Sequence, residues 1–292
     1  MYVTAPGRRS QTGTPVGHAA PLGLARAVHQ VFGPGGPFGN DDHIYYPDLM
    51  RSYGTTCPPD AFEGRRNSFT DMLTAVLPRL RPYADGFDLA VLAAATPDSQ
   101  PGFPMCHLSN LVPDAGLAFA VLDQGLVTAF TALQVLANRS RRDGAGRLLL
   151  VVVDQSVLLH DLPVPQRLRV ARDAVVVLAF DPVADGGRLY PPSSAPTVSR
   201  TPQAALAEAL AEQKPQVLVT GAGLAGRLPT VPDDTLVLPA PLGQPVTGVW
   251  QEVAARLPQW QVDGARVLIA DHDADQERLA TCLLDVPAGG KG

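Results

Sequence analysis

The sequence is poor in cysteine, in charged residues and in basic character. Its 292 residues include three cysteines (Cys57, Cys106 and Cys282), and their wide spacing fits neither a CxxC motif nor a disulfide framework. That usage suits a reducing compartment, so we expect a cytoplasmic protein. Charged residues make up 17% of the chain and the net charge is −5, which argues against a nucleic-acid partner.

Membrane and cofactor signals are also missing from the sequence. No apolar run reaches the length of about 18 residues that a spanning helix needs, and the opening MYVTAPGRRS lacks the apolar core of a signal peptide. The Gly221-Ala222-Gly223 segment lacks the rest of a phosphate-binding GxGxxG motif. We therefore expect no membrane association, no metal and no cofactor. The abundance of Ala, Pro, Arg and Gly is typical of a bacterial genome of high GC content.

Strand and helix patterns alternate through the chain, which is long enough to bury one large core or two smaller ones. A helix is expected over 21–31, and another begins after Ser68, which can cap it. The apolar strand patterns DLAVLAAAT, RLLLVVVD and DAVVVLAF follow.

The second half repeats this order in compressed form. Thr201 can cap a helix that runs through Ala211, and the strand patterns QVLVT, TLVLP, ARVLIADHD and RLATCLLDV follow around a helix expected over 245–257. The repeated order predicts two pseudo-equivalent α/β halves, 1–183 and 184–292, that form one compact unit.

The stretch from Gly116 to Asn138 combines a short strand, Leu117 to Val121, with a tight turn and a long helix. The turn is Asp123-Gln124-Gly125, and Leu126 is the first helical residue. Unpaired N–H groups at such a helix N-terminus can favour an anion or a thiolate. Leucine cannot serve as the nucleophile there.

Several segments resemble condensing enzymes of the ketosynthase III type. They are DLAVLAAATPDSQPGFP, the strand and helix from Leu117 to Leu133, RLLLVVVD, DAVVVLAF and ARVLIADHD, and they occur in the same order over residues 85–285. The resemblance implies a thiolase-like fold with five α/β/α/β/α layers. It also implies an obligatory dimer in which the strand with Phe119 and Val121 pairs with its counterpart.

The resembling enzymes use a cysteine nucleophile with a histidine and an asparagine, and this chain departs from all three. The resemblance places Leu126 at the cysteine, Gly221 at the histidine and Gln244 at the asparagine. We therefore expect a degenerate member that has lost the thiol chemistry.

Other residues are weak substitutes for the missing groups. Asp123 could act as a base or bind a cation, but we expect it to cap the helix that follows. Gln124 could form hydrogen bonds across a dimer interface or simply belong to the turn. We expect Cys106 and Cys282 to be buried apolar residues.

Two further polar clusters could form sites. Ser156, His160 and Asp161 suggest a triad, but they share one loop without a nucleophile-elbow pattern, so a solvated loop is expected. His272 lies between two aspartates, and we expect a surface turn there because no second pair of metal ligands occurs.

Three functions fit these observations. The first is a non-catalytic subunit that pairs with a Cys-bearing ketosynthase III-like homologue, similar in role to the inactive partners of biosynthetic condensing heterodimers. The second is a diverged acyltransferase that moves an acyl group from a CoA or carrier-protein thioester without a cysteine. The third is an acyl-carrier binding module. We expect the first, as a heterodimer, with a homodimer as the alternative.

Overall fold

The computed structural model describes residues 20–52, 54–58, 60–83, 85–143, 146–159 and 163–289. The elements of the N-terminal half are β1 (Leu22–Val31), β2 (Gly36–Pro37), α1 (Asp42–Ser52), β3 (Arg65–Arg66), α2 (Phe69–Val76), β4 (Gly86–Ala94), α3 (Pro104–Leu111), β5 (Asp114–Leu122), α4 (Thr128–Asp143), β6 (Leu148–Asp154) and β7 (Ala174–Phe180). Those of the C-terminal half are β8 (Arg188–Leu189), β9 (Ser193–Pro196), α5 (Pro202–Gln213), β10 (Val217–Thr220), β11 (Leu236–Pro239), α6 (Gly248–Asp263), β12 (Ala265–Asp273) and β13 (Arg278–Val286).

The two halves have the same strand order. The N-terminal sheet runs β5-β4-β6-β7-β1 and the C-terminal sheet runs β11-β10-β12-β13-β8, with β9 paired to β13 off this path. Counting only the strands on each path, both read third, second, fourth, fifth, first in chain order. In both halves the first three strands of that path are parallel and the last two pairings are antiparallel. A short antiparallel contact, Leu22 with Leu189 and Gly23 with Arg188, joins the sheets. The predicted pseudo-equivalence of the halves is visible in this topology.

The helices complete five layers. Leu133 of α4 and Val253 of α6 belong to one buried cluster with residues from both sheets, so these two helices form the central layer. Met72 of α2 and Leu108 of α3 cover the outer face of the N-terminal sheet, and Leu206 of α5 covers the outer face of the C-terminal one. The predicted α/β/α/β/α arrangement is confirmed.

Two helix starts follow their predicted caps. The Ser68 hydroxyl accepts a hydrogen bond from the Asp71 N–H, and the Asp71 carboxylate accepts one in return from the Ser68 N–H. The Thr201 hydroxyl accepts one from the Ala204 N–H. Among the described residues, no helix combines the length and hydropathy that a membrane crossing requires.

The helix expected over 21–31 is wrong, because these residues form β1. The strand lies inside the sheet, between β7 and β8, and most of its length pairs with β7. A β-bulge between Leu24 and Arg26 interrupts the alternation of buried and exposed residues. Without a clear period of two, the Ala and Leu content favoured a helix, and the tertiary pairing overrode that local preference.

Candidate functional site at two helix N-termini

The turn after β5 directs the chain into α4 through a strained corner. Asp123 has φ 60° and Gly125 has φ 55°, and a 3₁₀ turn over Gly125–Val127 leads into the helix. Leu126 is only 1% exposed, and its backbone N–H donates a hydrogen bond to Asp273 Oδ2 at 2.8 Å. The donor that a bound anion would use at this corner is therefore paired with a carboxylate of the protein itself.

Asp123 does not cap this helix, so that prediction is wrong. The carboxylate at the corner comes from Asp273, at the end of β12. Its other oxygen accepts the backbone N–H groups of Asp275 and Gln276, each at 2.9 Å. The amide of Gln124 donates to the Asp123 carbonyl at 3.4 Å, which fits the turn role considered for it.

The start of α6 is held in a matching way. Asp154 ends β6, and its carboxyl group accepts the backbone N–H of Val246 at 3.1 Å and that of Thr247 at 2.8 Å. β6 and β12 occupy the same place in the two strand paths, third from the outer edge. Each half therefore supplies an aspartate to the start of the central helix of the other half.

The two helix starts lie against each other. Phe130 and Trp250 are the third residues of α4 and α6, and their ring centroids are 5.3 Å apart. Their exposures are 3% and 0%. Aromatic rings therefore fill the space between the two N-termini.

Gly221 follows β10 and packs against a buried carboxyl group. A Cβ at Gly221 would lie 2.0 Å from Asp271 Oδ2, so this position has no room for a side chain while Asp271 keeps its place. Asp271 Oδ1 accepts the N–H groups of Gly223 at 2.9 Å and His272 at 2.8 Å. Burial, with a further contribution from the charge of Asp273, raises the pKa of Asp271 to about 8.

Gln244 is buried, and its amide is used inside the protein. Its Oε1 lies 2.7 Å from the Thr247 hydroxyl and accepts from Gln251 Nε2 at 2.8 Å. Its Nε2 donates to the Arg172 carbonyl at 2.9 Å. Leu126 thus lies at the start of α4, and Gln244 lies at the start of α6. Gly221 lies against Asp271 of β12, the strand whose end holds the start of α4.

The remaining sequence candidates have mixed outcomes. Cys282 is buried as predicted, and burial raises the pKa of its thiol. Cys106 is exposed, so its predicted burial is wrong, because it lies on the outward face of α3.

The surface turn predicted at His272 is also wrong, because the residue belongs to β12 and is 4% exposed. His272 Nε2 lies 3.1 Å from the Thr197 hydroxyl, and burial lowers the pKa of the ring.

Ser156 has a local structural partner. It is exposed, and its N–H and hydroxyl both donate to Asp173 Oδ1 at 2.7 Å. His160 and Asp161 lie outside the described residues. In the described part of the chain, no three His, Cys, Asp or Glu residues are grouped as a metal site would require.

β5 forms one free edge of the N-terminal sheet. Among the described strands it pairs with β4 alone, and no charged residue separates Asp114 from Asp123. Leu117 is 65% exposed, while Phe119 and Val121 are partly buried against the central core. An edge of this composition is unusual unless another chain covers it.

Sequence reasoning missed the two aspartates that hold the helix starts. Asp154 and Asp273 each end an apolar strand, in LLLVVVD and ARVLIADHD. An aspartate at the carboxyl end of a buried strand is the signal that could have identified them.

Solved structures match this chain, whereas no protein-family model and no curated protein sequence does. The tetronic acid condensing enzyme AbyA1 matches over 90% of this chain and 99% of its own, with 14% identity and a TM-score of 0.62. OleA from Xanthomonas campestris matches over 92% and 99%, with 10% identity and a TM-score of 0.62. The 3-oxoacyl-(acyl carrier protein) synthase III from Xanthomonas oryzae pv. oryzae matches over 92% and 99%, with 10% identity and a TM-score of 0.59. At these identities the likeness establishes the thiolase-like fold of ketosynthase III-like enzymes.

Proposed function

We propose that this protein is a non-catalytic subunit of an acyl-condensing or acyl-transferring complex, paired with a homologue that carries the nucleophilic cysteine. The hydrogen bond from the Leu126 N–H to Asp273 is the observation that carries this proposal. It lies at the corner that the resemblance assigns to the nucleophile.

Thiol chemistry needs a nucleophilic atom, a free N–H donor and no opposing charge, and this corner provides none of these. Leucine has no nucleophilic atom, and the adjoining N–H is already paired with a carboxylate. The Asp273 carboxylate at this corner would also oppose the negative charge that develops on a reacting thioester. Asp271 occupies the space beside Gly221, and Gln244 is committed to α6.

The apolar edge strand β5 supports a partner chain. Leu117 is exposed in a nine-residue strand that pairs on one side only, and a matching strand of a second chain would satisfy its free backbone groups. We expect an interface in the obligate class, on the order of 2,000 Å² or more. The partner we propose is a ketosynthase III-like homologue, and acyl carrier protein or acyl-CoA would be bound by the pair.

The test is co-expression of the tagged chain with its genomic neighbours, followed by intact-protein mass spectrometry after incubation with acetyl-CoA. We expect a second chain to co-purify and to carry the acetyl adduct, while this chain stays unmodified. A stable adduct at Cys57, Cys106 or Cys282 would contradict the non-catalytic role. Acyl transfer by this chain alone, with no adduct, would favour the diverged acyltransferase instead.

A further inference from the structure

A closed polar network surrounds the Thr247 hydroxyl at the start of α6. Its oxygen lies 2.7 Å from each of three atoms: Asp154 Oδ2, Gln244 Oε1 and Gln251 Nε2. The exposures of Asp154, Gln244, Thr247 and Gln251 are 2%, 4%, 0% and 6%. Because water hardly reaches these side chains, the hydrogen bonds among them mainly use protons that the four residues carry themselves.

The two amides in the network have fixed orientations. Gln244 Nε2 donates to the Arg172 carbonyl at 2.9 Å, so Gln244 Oε1 is the atom that faces Thr247. Gln251 Nε2 uses its two protons on Gln244 Oε1, at 2.8 Å, and on the Thr247 oxygen. Rotating either amide would set two donors or two acceptors against each other.

One proton is then missing if Asp154 is ionised. The Thr247 hydroxyl has a single proton, yet its oxygen lies at hydrogen-bond distance from two acceptors, Asp154 Oδ2 and Gln244 Oε1. Two such oxygens without a proton between them repel each other. We infer that Asp154 is a neutral carboxylic acid in this conformation and that its ionisation is a switch that loosens the start of α6. This inference stands apart from the proposed function.

With Asp154 protonated, every contact in the network has one proton. Asp154 donates to Thr247, Thr247 donates to Gln244, and the backbone N–H groups of Val246 and Thr247 still donate to the carboxyl group. Burial raises the pKa of Asp154 to about 6, which favours the neutral acid as the proton count does. Hydrogen bonds from Thr247 and Val246 partly oppose this rise.

Charged residues on the neighbouring described elements have partners of their own. Asp173, one residue before β7, accepts from Ser156 and Asn67. Asp98, beyond the end of β4, accepts from Gln155 and Phe69. On α6 itself, Glu252 is paired with Arg256.

Ionisation changes the contacts of Gln244. The Thr247 proton turns to the charged Asp154, and Gln244 Oε1 is left facing an oxygen with no proton between them. Gln244 then moves, and the Arg172 carbonyl loses its donor. The neighbouring hydrogen bond from the Ala171 N–H to the Gly243 carbonyl, 2.8 Å long, joins the same two segments. The segments 171–172 and 243–244, where the two halves meet, are therefore the part of the protein that we expect to loosen as the pH rises.

Asp154→Asn tests the inference, because asparagine does not ionise and its amide can still donate to the Thr247 hydroxyl while its oxygen accepts the Val246 N–H. Its amide loses the hydrogen bond from the Thr247 N–H, but that cost is the same at every pH, so the pH dependence of the comparison belongs to Asp154. We expect the unfolding equilibrium constant of the wild type, relative to this variant, to rise about tenfold between about pH 5 and about pH 8. Asp173→Asn is the matched control. The Asp173 carboxylate accepts four hydrogen bonds, all from donors on Ser156 and Asn67, so an asparagine there sets an amide against donors and destabilises at both pH values.

Equal destabilisation by Asp154→Asn at both pH values would overturn the inference, since it would mean that the ionised form is native. If the variant does not fold, the carboxyl carbon shift of Asp154 in the wild type decides by NMR. A shift that titrates at or above about pH 6 supports the neutral acid, and one that stays ionised down to about pH 4 contradicts it.

Discussion

Asp273 and Leu126 are separated by 147 positions in the chain and are joined by a hydrogen bond of 2.8 Å. The bond connects the end of β12 in one half with the first turn before α4 in the other. It places a buried carboxylate at the helix N-terminus, where the helix dipole favours negative charge. The protein thus supplies its own anion at this corner, and this decides what a new side chain there could do.

A cysteine introduced as Leu126→Cys should be a sluggish nucleophile. The adjacent Asp273 carboxylate disfavours the thiolate, so the double change Leu126→Cys with Asp273→Asn should react about tenfold faster with iodoacetamide at neutral pH. Mass spectrometry of the alkylated peptide measures both rates. The wild type, treated in parallel, corrects for labelling of the exposed Cys106. Equal rates in the two variants would show that the carboxylate does not control this corner.

Leu117→Asp should separate the proposed dimer without unfolding the chain. Leu117 is 65% exposed, so the change leaves the core intact but places an unpaired charge in the proposed interface. Light scattering during size-exclusion chromatography should show a dimer for the wild type and a monomer for the variant. Val262→Asp, at a 67% exposed position of α6, should keep the wild-type mass. A monomeric wild type at micromolar concentration would rule the interface out.

Asp271→Asn should stabilise the protein at alkaline pH. The pKa of Asp271 is raised from 3.8 to about 8 by burial, so the unfolded chain releases this proton at a lower pH than the folded one. Its contribution to stability is complete below the unfolded pKa and is lost as the pH rises to about 8. We expect the variant to exceed the wild type by about 2 kcal/mol at about pH 8, measured by denaturant unfolding. A variant that is less stable at that pH would contradict the raised pKa.

Gly125→Ala should be costly for two reasons. The residue has φ 55°, and a Cβ would lie 1.9 Å from Asp273 Oδ2. We expect a loss of about 2 kcal/mol or more in the free energy of unfolding. Gly33→Ala is the control, because a Cβ there has no atom within 4 Å and should change stability little. Similar losses in both variants would show that the corner has more room than the structure indicates.

The strand pattern of the sequence predicted most of the fold. The apolar runs at β4, β6, β7, β12 and β13 are buried on both faces, and such runs can be recognised as strands without knowing which strands they pair with. β1 could not be recognised in this way. Its bulge removed the alternation, and only pairing with β7 specifies it as a strand.

The helix start at Leu126 was predicted from the sequence, but its contacts were not. Leu126 was placed correctly at a helix start, because the local pattern of strand, turn and helix carries that information. The cap of this helix was assigned to Asp123, the nearest carboxylate in sequence. In the structure Asp273 takes this role, because the two sheets bring the end of β12 to that corner. A local sequence pattern carries no information about a contact between residues 147 positions apart.

The exchange of aspartates between the halves has a consequence for how the chain folds. Asp154 reaches α6 and Asp273 reaches α4, so neither central helix has its anchor until both sheets are in place. Each half, expressed alone, would leave one buried helix start unpaired and one buried carboxyl group without its donors. We therefore expect unfolding to be a single cooperative transition, in which the two sheets are lost together and no half survives as a folded intermediate, and calorimetry of the whole chain would test this.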